Sequence, residues 1–460
     1  MSAETSETIA AIATPPGTGG IGIIRISGPR ALEVTNKIID RDTAQLTARK
    51  AHLCSFFQPG EEKPLDRGLF LYFPAPNSYT GEDTVELNCH GSPLLLDTLL
   101  EAIVDEAEVR LAEPGEFTRR AFENNRLDLA QADAVGELIS ARSEAALKSA
   151  ARQLEGELSE SVNKLRETLI FCQSRLEASL DFSDQDTVDP VPYNELEEKL
   201  KRATEKINKL IEEGRQGSLI SRGVHTPIVG KPNAGKSSLF NRLVQSDRSI
   251  VTSRPGTTRD ILKDQVNLEG IPFQLHDTAG LTETEEKIEN LGIERTQEAI
   301  KKADLILLVF DGSKPLTAED RRAVDIVQDS QFIPVLNKKD LPADITPENI
   351  KRSLGVEVNH QISAENGEGI ENLKTSLVEK ITGGETMIEN PLVTNRRHLQ
   401  ALKNSLQFIE KALAGINNRK EEVLLAEDLR RAAEEIGKIT GEITTEDLLD
   451  EIFENFCIGK

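Results

Sequence analysis

The stretch GKPNAGKSS, Gly230 to Ser238, constrains this chain more than any other. It satisfies the phosphate-loop pattern G-x-x-x-x-G-K-[ST] at every fixed position, through Gly230, Gly235, Lys236 and Ser237. The flanks have the right periods. Val224 to Val229 is apolar enough for a short buried strand, and the run after the loop puts Leu239, Phe240 and Leu243 on one helical face. Each residue type has a physical task. Glycines let backbone N–H groups close around phosphate oxygens, and the new helix aims the positive end of its dipole at the same anion. Lys236 suits the outer phosphates, and the Ser237 hydroxyl suits magnesium. The bland alternative is a glycine-rich turn that binds nothing, so the motif needs company.

Four later motifs supply it, in the order of a guanine-nucleotide domain. LHDTAG ends a predicted strand, setting Asp277 near the magnesium shell and Thr278, Ala279 and the Gly280 amide towards the γ-phosphate. NKKD, with Asn337, Lys338 and Asp340, closes another strand. A carboxylate there can accept two N–H bonds from guanine N1 and N2; adenine has no such donor pair, and a site built on those bonds rejects the analogue strongly. SAENGEG follows the last strand and should close over the base through Ser363 and Ala364. PGTTRD lies between the phosphate loop and LHDTAG, where Thr258 offers magnesium a second hydroxyl. Ala234 and Ser238 inside the loop, with Thr252 and Thr257 beyond it, complete the predicted nucleotide set.

Two residues depart from small signalling GTPases. Leu281 follows DTAG where those proteins carry a glutamine that orients the attacking water, and an aliphatic group cannot do that. Either hydrolysis is poor or another polar group takes over; Glu289 is a candidate, although composition alone reads any one Glu there as a solvent-facing helix residue. Asn233 offers an acceptor beside the phosphates. A monovalent cation held there could supply the charge that an arginine finger supplies elsewhere. The alternative is that Asn233 only stabilises the turn.

Composition bounds the rest. A chain of 460 residues suggests about three domains. A net charge of −23 argues against gripping nucleic acid with the whole surface, leaving open a local basic patch or a partner's. Cys54, Cys89, Cys172 and Cys457 form no CxxC pair and no metal-like spacing with the histidines, which predicts a reduced, cytoplasmic protein. The first residues do not read as a signal peptide, and no stretch approaches a membrane span.

Residues 1–120 read as α+β, with strands over Thr8–Ala13, Ile21–Ile26, Leu69–Phe73 and Thr84–Cys89 and a helix over Arg30–Ile39. GTGGIG, Gly17 to Gly22, fits a dinucleotide pattern, but a β-branched run follows where a helix should begin, so it reads as a tight loop between strands. No proline occurs between Pro114 and Pro190, and apolar residues recur at helical spacing, predicting long antiparallel helices. A further helix, Asn194–Gln216, leads into the strand before the phosphate loop. Beyond it strands are predicted over Thr226–Val229, Ile271–His276, Leu305–Phe310, Phe332–Leu336 and Val358–Ile362, alternating with helices. The simplest architecture is multidomain: an α+β N-terminal domain (1–120), an all-α helical domain (121–220 and 384–460), and an α/β P-loop G domain (221–383) inserted into it. A separate helical tail is the alternative.

With GKPNAGKSS, PGTTRD, DTAGL, NKKD and the closing FCIGK in view, the chain resembles the MnmE (TrmE) family of tRNA-modification GTPases. The likeness runs nearly end to end, through TIAAIATPPGTGGIGIIRISG, NSYTGEDTVEL, PGEFTRRAFENNRLDLAQADA and EIFENFCIGK. The resemblance implies a homodimer joined through the N-terminal domain, working in a heterotetramer with the flavoprotein MnmG (GidA). Together they add an aminomethyl or carboxymethylaminomethyl group to carbon 5 of the wobble uridine of certain tRNAs. The one-carbon unit comes from a 5-formyltetrahydrofolate-type folate, and the G domains pair in a potassium-dependent way as GTP is hydrolysed. By position, potassium falls to Asn233, Thr252, the Arg254 backbone and Thr257, and magnesium to Ser237 and Thr258. Glu289 matches the acid that positions water. Arg25, Glu86, Arg126 and Lys460 match the folate contacts; cations suit its carboxylates and a carboxylate suits its pterin donors. Thr18 stands where an arginine is common, so no folate contact is assigned there, and Arg254-Pro255 departs from many members. Cys457 is fourth from the end, but Gly459 and Lys460 do not fit a prenylation signal. It lies near the modification site on this likeness, or else is a buried structural thiol. The competing class is a GTP-switched ribosome or RNA assembly factor, which has no need of FCIGK or the folate-like set.

Overall fold

In a computed structural model, described over residues 7–105, 109–181, 193–245, 265–277, 300–301, 303–384, 388, 390–418, 421–454 and 456–460, the chain forms two six-stranded sheets and a helical bundle. The first sheet contains β1 (Thr8–Ile12), β2 (Gly19–Ser27), β3 (His52–Phe56), β4 (Asp66–Phe73), β5 (Thr84–Gly91) and β6 (Val109–Leu111), in the order β3-β4-β5-β2-β1-β6. Strand alternation sorts its side chains. Ile24 and Ile26 of β2 and Val85 and Leu87 of β5 bury on one face, under α1 (Ala31–Asn36) and α2 (Pro93–Val104). The intervening Arg25 and Glu86, cross-strand partners, therefore share the other face, on which α3 (Glu116–Glu123) places Phe117. The helix expected over Arg30–Ile39 stops at Asn36, because Ile38 and Ile39 turn into the core and Ile39 bridges to Phe56. GTGGIG is only partly a loop: Gly19 already belongs to β2 and pairs with Gly91 across a register shift.

The helical part comprises α4 (Leu129–Ser140), α5 (Glu144–Leu154), α6 (Glu157–Asp181) and α7 (Tyr193–Arg222) before the second sheet. α7 runs on past the expected Gln216. The long helices expected here include two shorter ones, α4 and α5, separated where Ser143 accepts a hydrogen bond from the Ala146 amide and caps α5.

The second sheet carries β7 (Val224–Val229), α8 (Lys236–Gln245), β8 (Gln265–Leu268), β9 (Ile271–Asp277), β10 (Ile306–Asp311), α9 (Ala318–Val327), β11 (Phe332–Asn337), α10 (Pro347–Leu354), β12 (His360–Gln361) and α11 (Ile370–Thr382). Its order is β12-β11-β10-β7-β9-β8, parallel except at the β8 edge, with apolar clusters on both faces. The strand expected over Val358–Ile362 shrinks to His360–Gln361. Val358 and Ile362 still bury, but of the three residues between them only His360 and Gln361 pair along β11.

α12 (Arg396–Asn417), α13 (Glu422–Thr440) and α14 (Glu446–Phe453) follow. Leu165 and Leu169 of α6, Leu200 and Ile207 of α7, Leu402 of α12 and Leu429 of α13 share one core. The α/β unit thus interrupts a helical bundle built from both sides of it. Its two connections run together: a Cβ on Gly217 of α7 would stand 2.0 Å from the Val393 carbonyl oxygen. The Ile388 and Leu392 amides donate to Gln216 and Glu213 at 2.8 and 3.3 Å.

Candidate functional site

Parallel strands deliver their C-terminal ends to one edge, where a doubly wound sheet holds ligands. β7 there passes into GKPNAGKSS and α8. Gly230 has no room for a side chain, since a Cβ would meet the Val309 carbonyl oxygen at 2.4 Å. Asn233 takes the left-handed conformation at φ 61°, which Asn tolerates better than most residues. The Lys236 ammonium folds back over the loop and donates to the Gly230 and Lys231 carbonyls at 2.9 and 3.0 Å. Ser237 and Ser238 are exposed on the first turn of α8, while Ala234 is buried. Lys231 pins the loop from behind through a buried ion pair to Asp320 of α9 at 2.9 Å.

Asn337, at the end of β11, joins three predicted segments. Its Nδ2 donates to the Ala234 carbonyl and its Oδ1 accepts from the Ala364 amide, both at 3.0 Å, and Asn337 is 2% exposed. Gly235 is required beside it, because a Cβ would lie 2.2 Å from that Nδ2. Lys338 pairs with Asp311 of β10 at 2.8 Å. Burial pushes the Asp311 carboxyl up, but bonds from Lys338 and Ser313 outweigh it and hold the group below the usual range. The Ser363 hydroxyl donates to Asp340 at 2.6 Å and accepts from the Asn366 amide at 3.1 Å, so the last loop is tied to NKKD. β9 carries the backbone of Asp277 to the same edge. Thr252, Arg254, Thr257, Thr258, Thr278, Ala279, Gly280, Leu281 and Glu289 lie outside the described residues.

A second group gathers on the first sheet. Arg25 donates to one oxygen of Glu86 at 3.0 and 2.9 Å and to the Gly459 carbonyl at 3.2 Å. Its guanidinium lies 5.7 Å from the Tyr79 ring centre and 5.6 Å from that of Phe117. The C-terminal segment reaches this group by fitting tightly between elements. Gly459 has no space for a Cβ, which would be 2.4 Å from the Ile12 carbonyl oxygen, and the Phe117 amide donates to Lys460 O at 3.2 Å. Burial, and then the charge of Arg25, push the Lys460 ammonium down. Arg25, Glu86 and Lys460 are therefore brought together. Arg126 is exposed, and its side-chain stem approaches Gly81, next to Thr80 and one residue beyond that from Tyr79. Sequence reasoning missed Tyr79 and Phe117; the Tyr in NSYTGED was the available signal.

Cys457 is exposed, so the buried structural thiol is not what the fold makes of it. It lines a cavity of about 430 Å³ with residues of α4 and α14, Asn395 and Arg397. Asp133 of α4 meets Arg397 at 2.6 Å and His398 Nε2 at 3.0 Å on the cavity's inner side. Burial alone would raise Asp133, yet the hydrogen bond from His398 and the charge of Arg397 hold it low. One helical turn on, burial pushes Glu137 up to about 7 despite a 2.5 Å bond from the Thr394 hydroxyl. These partners lie some 260 residues apart in sequence, and no motif announces them. Cys54, Cys89 and Cys172 are buried and unpaired, and among the described residues no helix is long and apolar enough to cross a membrane.

Comparison with known proteins adds the following. A family model described as the MnmE helical domain matches residues 129–457, and one described as the GTP-binding protein TrmE N-terminus matches residues 8–126. The tRNA modification GTPase MnmE of Alkaliphilus oremlandii is 41% identical over 459 residues, covering 99% of each chain. Its namesake from Aquifex aeolicus is 42% identical over 458 residues, covering 99% of this chain and all of the relative. Among solved structures, Era of Aquifex aeolicus is 26% identical over 40% of this chain and 65% of its own, at a TM-score of 0.26, too loose to argue from.

Proposed function

The chain belongs to the MnmE (TrmE) family, and from that premise we propose that it is a GTP-hydrolysing enzyme of tRNA modification. The observation that carries the nucleotide half is the joint at Asn337. One buried amide ties the phosphate loop to the loop after β12, holding NKKD and GKPNAGKSS as one edge. A base bonded to Asp340 and phosphates cradled around Gly235 to Ser238 would then be read by one rigid unit. Magnesium would be held by Ser237 and Thr258, and potassium by Asn233, Thr252, Thr257 and the Arg254 backbone; Glu289 would position the hydrolytic water. Divided on this basis, the chain has an N-terminal unit (1–120), a helical unit (121–220 and 384–460) and a G domain (221–383).

We further propose that the group on the first sheet binds a folate of the 5-formyltetrahydrofolate type. Arg25 and Lys460 would supply cations and Glu86 a carboxylate, with the Arg25 guanidinium steadied over the Tyr79 and buried Phe117 rings, and the exposed Arg126 would add a further cation. Such a folate supplies a one-carbon unit when bound, and Cys457 is exposed close by in sequence and space. The chain would work as a homodimer in the cytoplasm with the flavoprotein MnmG, adding the aminomethyl or carboxymethylaminomethyl group to wobble uridine. Mass spectrometry of tRNA from cells lacking this chain is the test. Loss of that group is expected, and an unchanged wobble uridine would leave the assembly-factor reading standing instead.

A further inference from the structure

A chain of net charge −23 that handles tRNA needs a place where its charge is reversed. The surface between α6 and α7 offers clefts whose lining is richer in cations than in carboxylates. Two adjoining clefts of about 370 and 390 Å³ run along the two helices and share Lys164 and Lys206. Arg152, Lys164, Lys199, Lys206 and Lys209 line them with two carboxylates, Glu167 and Glu213, while Arg152, Lys164 and Lys199 also pair with Glu157, Glu160 and Glu195 at the margins. Glu213 already accepts the Leu392 amide at 3.3 Å. Lys199, Lys201 and Arg202 of α7 are each matched one helical turn away, by Glu195, Glu197 and Glu198. Lys206 and Lys209 are exposed and have no ion-pair partner among the described residues. Lys199 is held over the Phe171 ring, its ammonium 4.9 Å from the centre.

We propose that this groove binds the phosphate backbone of tRNA. From Lys199 to Lys209 the helix rises about 15 Å, long enough to follow several backbone phosphates of one strand. The apolar lining is limited to Phe171 and to Leu210, Ile388 and Leu392 at one end, none of them fully exposed. Interfaces with proteins instead favour exposed aromatic and aliphatic anchors and are poor in lysine. The groove also passes Asn390 and Leu392, on the segment returning from the G domain, so an RNA held there would touch the connection to the nucleotide unit.

The proposal rests on the tRNA reading above, and the experiment separates the two. The full chain and its Lys206→Glu/Lys209→Glu variant are titrated with an unmodified tRNA transcript over a range of salt. The variant should bind at least about tenfold more weakly, with a slope of log K against log salt shallower by about two. An unchanged unfolding midpoint will show that the helices are intact. Lys201→Glu/Arg215→Glu, the same charge change outside the groove, should keep its affinity within about twofold. If the unsubstituted chain binds no tRNA at any salt, the tRNA reading falls and the groove with it. If it binds, and the groove variant matches it in affinity and slope, the groove proposal alone is overturned. Loss of binding to the flavoprotein with tRNA affinity intact would overturn it too, by assigning the groove to an acidic protein surface.

Discussion

Asn233 sits at φ 61°, so replacing it with alanine would mix lost chemistry with backbone strain of roughly 1 kcal/mol. Asn233→Gly removes the acceptor and relaxes the turn. If the side chain holds potassium, hydrolysis should run much faster in potassium than in sodium for the parent chain, and the glycine variant should lose most of that difference. A retained potassium response would leave Asn233 as a turn former only. Glu289→Ala should bind GTP normally and turn it over at least about tenfold more slowly; full turnover would return Glu289 to an ordinary surface residue. Glu137 carries a different prediction. Its carboxyl is raised from 4.5 to about 7 by burial, chiefly, with Asp133 adding repulsion and Thr394 and Gln153 opposing. The fold thus favours the neutral acid, and the stability this contributes is present below pH 4.5 and lost as pH rises through about 7. Glu137→Gln should flatten the pH dependence of the unfolding midpoint between those values. Parallel curves for parent and variant would rule Glu137 out as the titrating group.

At the level of elements, α7 shows how a glycine pair divides its labour. Alanine in a helix interior gains about 1 kcal/mol over glycine. At Gly217 the new Cβ would stand 2.0 Å from the Val393 carbonyl oxygen, which is backbone and cannot swing aside. Overpacking of that kind costs about 1–3 kcal/mol, so Gly217→Ala should destabilise by up to about 2 kcal/mol net and lower the thermal midpoint measured by circular dichroism. Gly214→Ala meets only the ends of Leu399 and Val393 at 3.0 Å and should be close to neutral. A Gly217→Ala chain as stable as the parent would mean that the returning segment moves freely. Elements with a strong period of their own were legible in the sequence: β7, β9, β10 and β11 all appear within a few residues of their expected bounds. β8 and β12 are four and two residues long, and what makes them strands is the neighbour they pair with. The nucleotide edge was legible because its motifs recur at loop positions. The Asp133–Arg397–His398 cluster was not, since each residue reads as an ordinary helix residue until α4 and α12 meet.

Across the whole molecule, α14 and the last five residues stitch α3 and the first sheet to the helical bundle. Arg119 of α3 reaches Glu446 and Asp450 of α14 at 2.7 Å each, and beyond α14 the Phe117 amide bonds to Lys460 O. Gly459→Ala should unseat that segment, at φ 93° and with 2.4 Å to the Ile12 carbonyl oxygen. Faster hydrogen exchange at the Phe117 amide would report it, and unchanged protection there would mean the segment is held by other contacts. The interrupted bundle also sets a schedule for synthesis. α6 and α7 leave the ribosome with Leu165, Leu169, Leu200 and Ile207 facing outward, and the helices that cover them begin about 170 residues later, at Arg396. At roughly 5–20 residues per second the wait is on the order of 10–30 s. A newborn chain thus carries an uncovered apolar seam while a complete nucleotide-binding unit is made and folds. For that interval the two long helices depend on chaperones, or on each other, rather than on the packing that holds them in the finished protein.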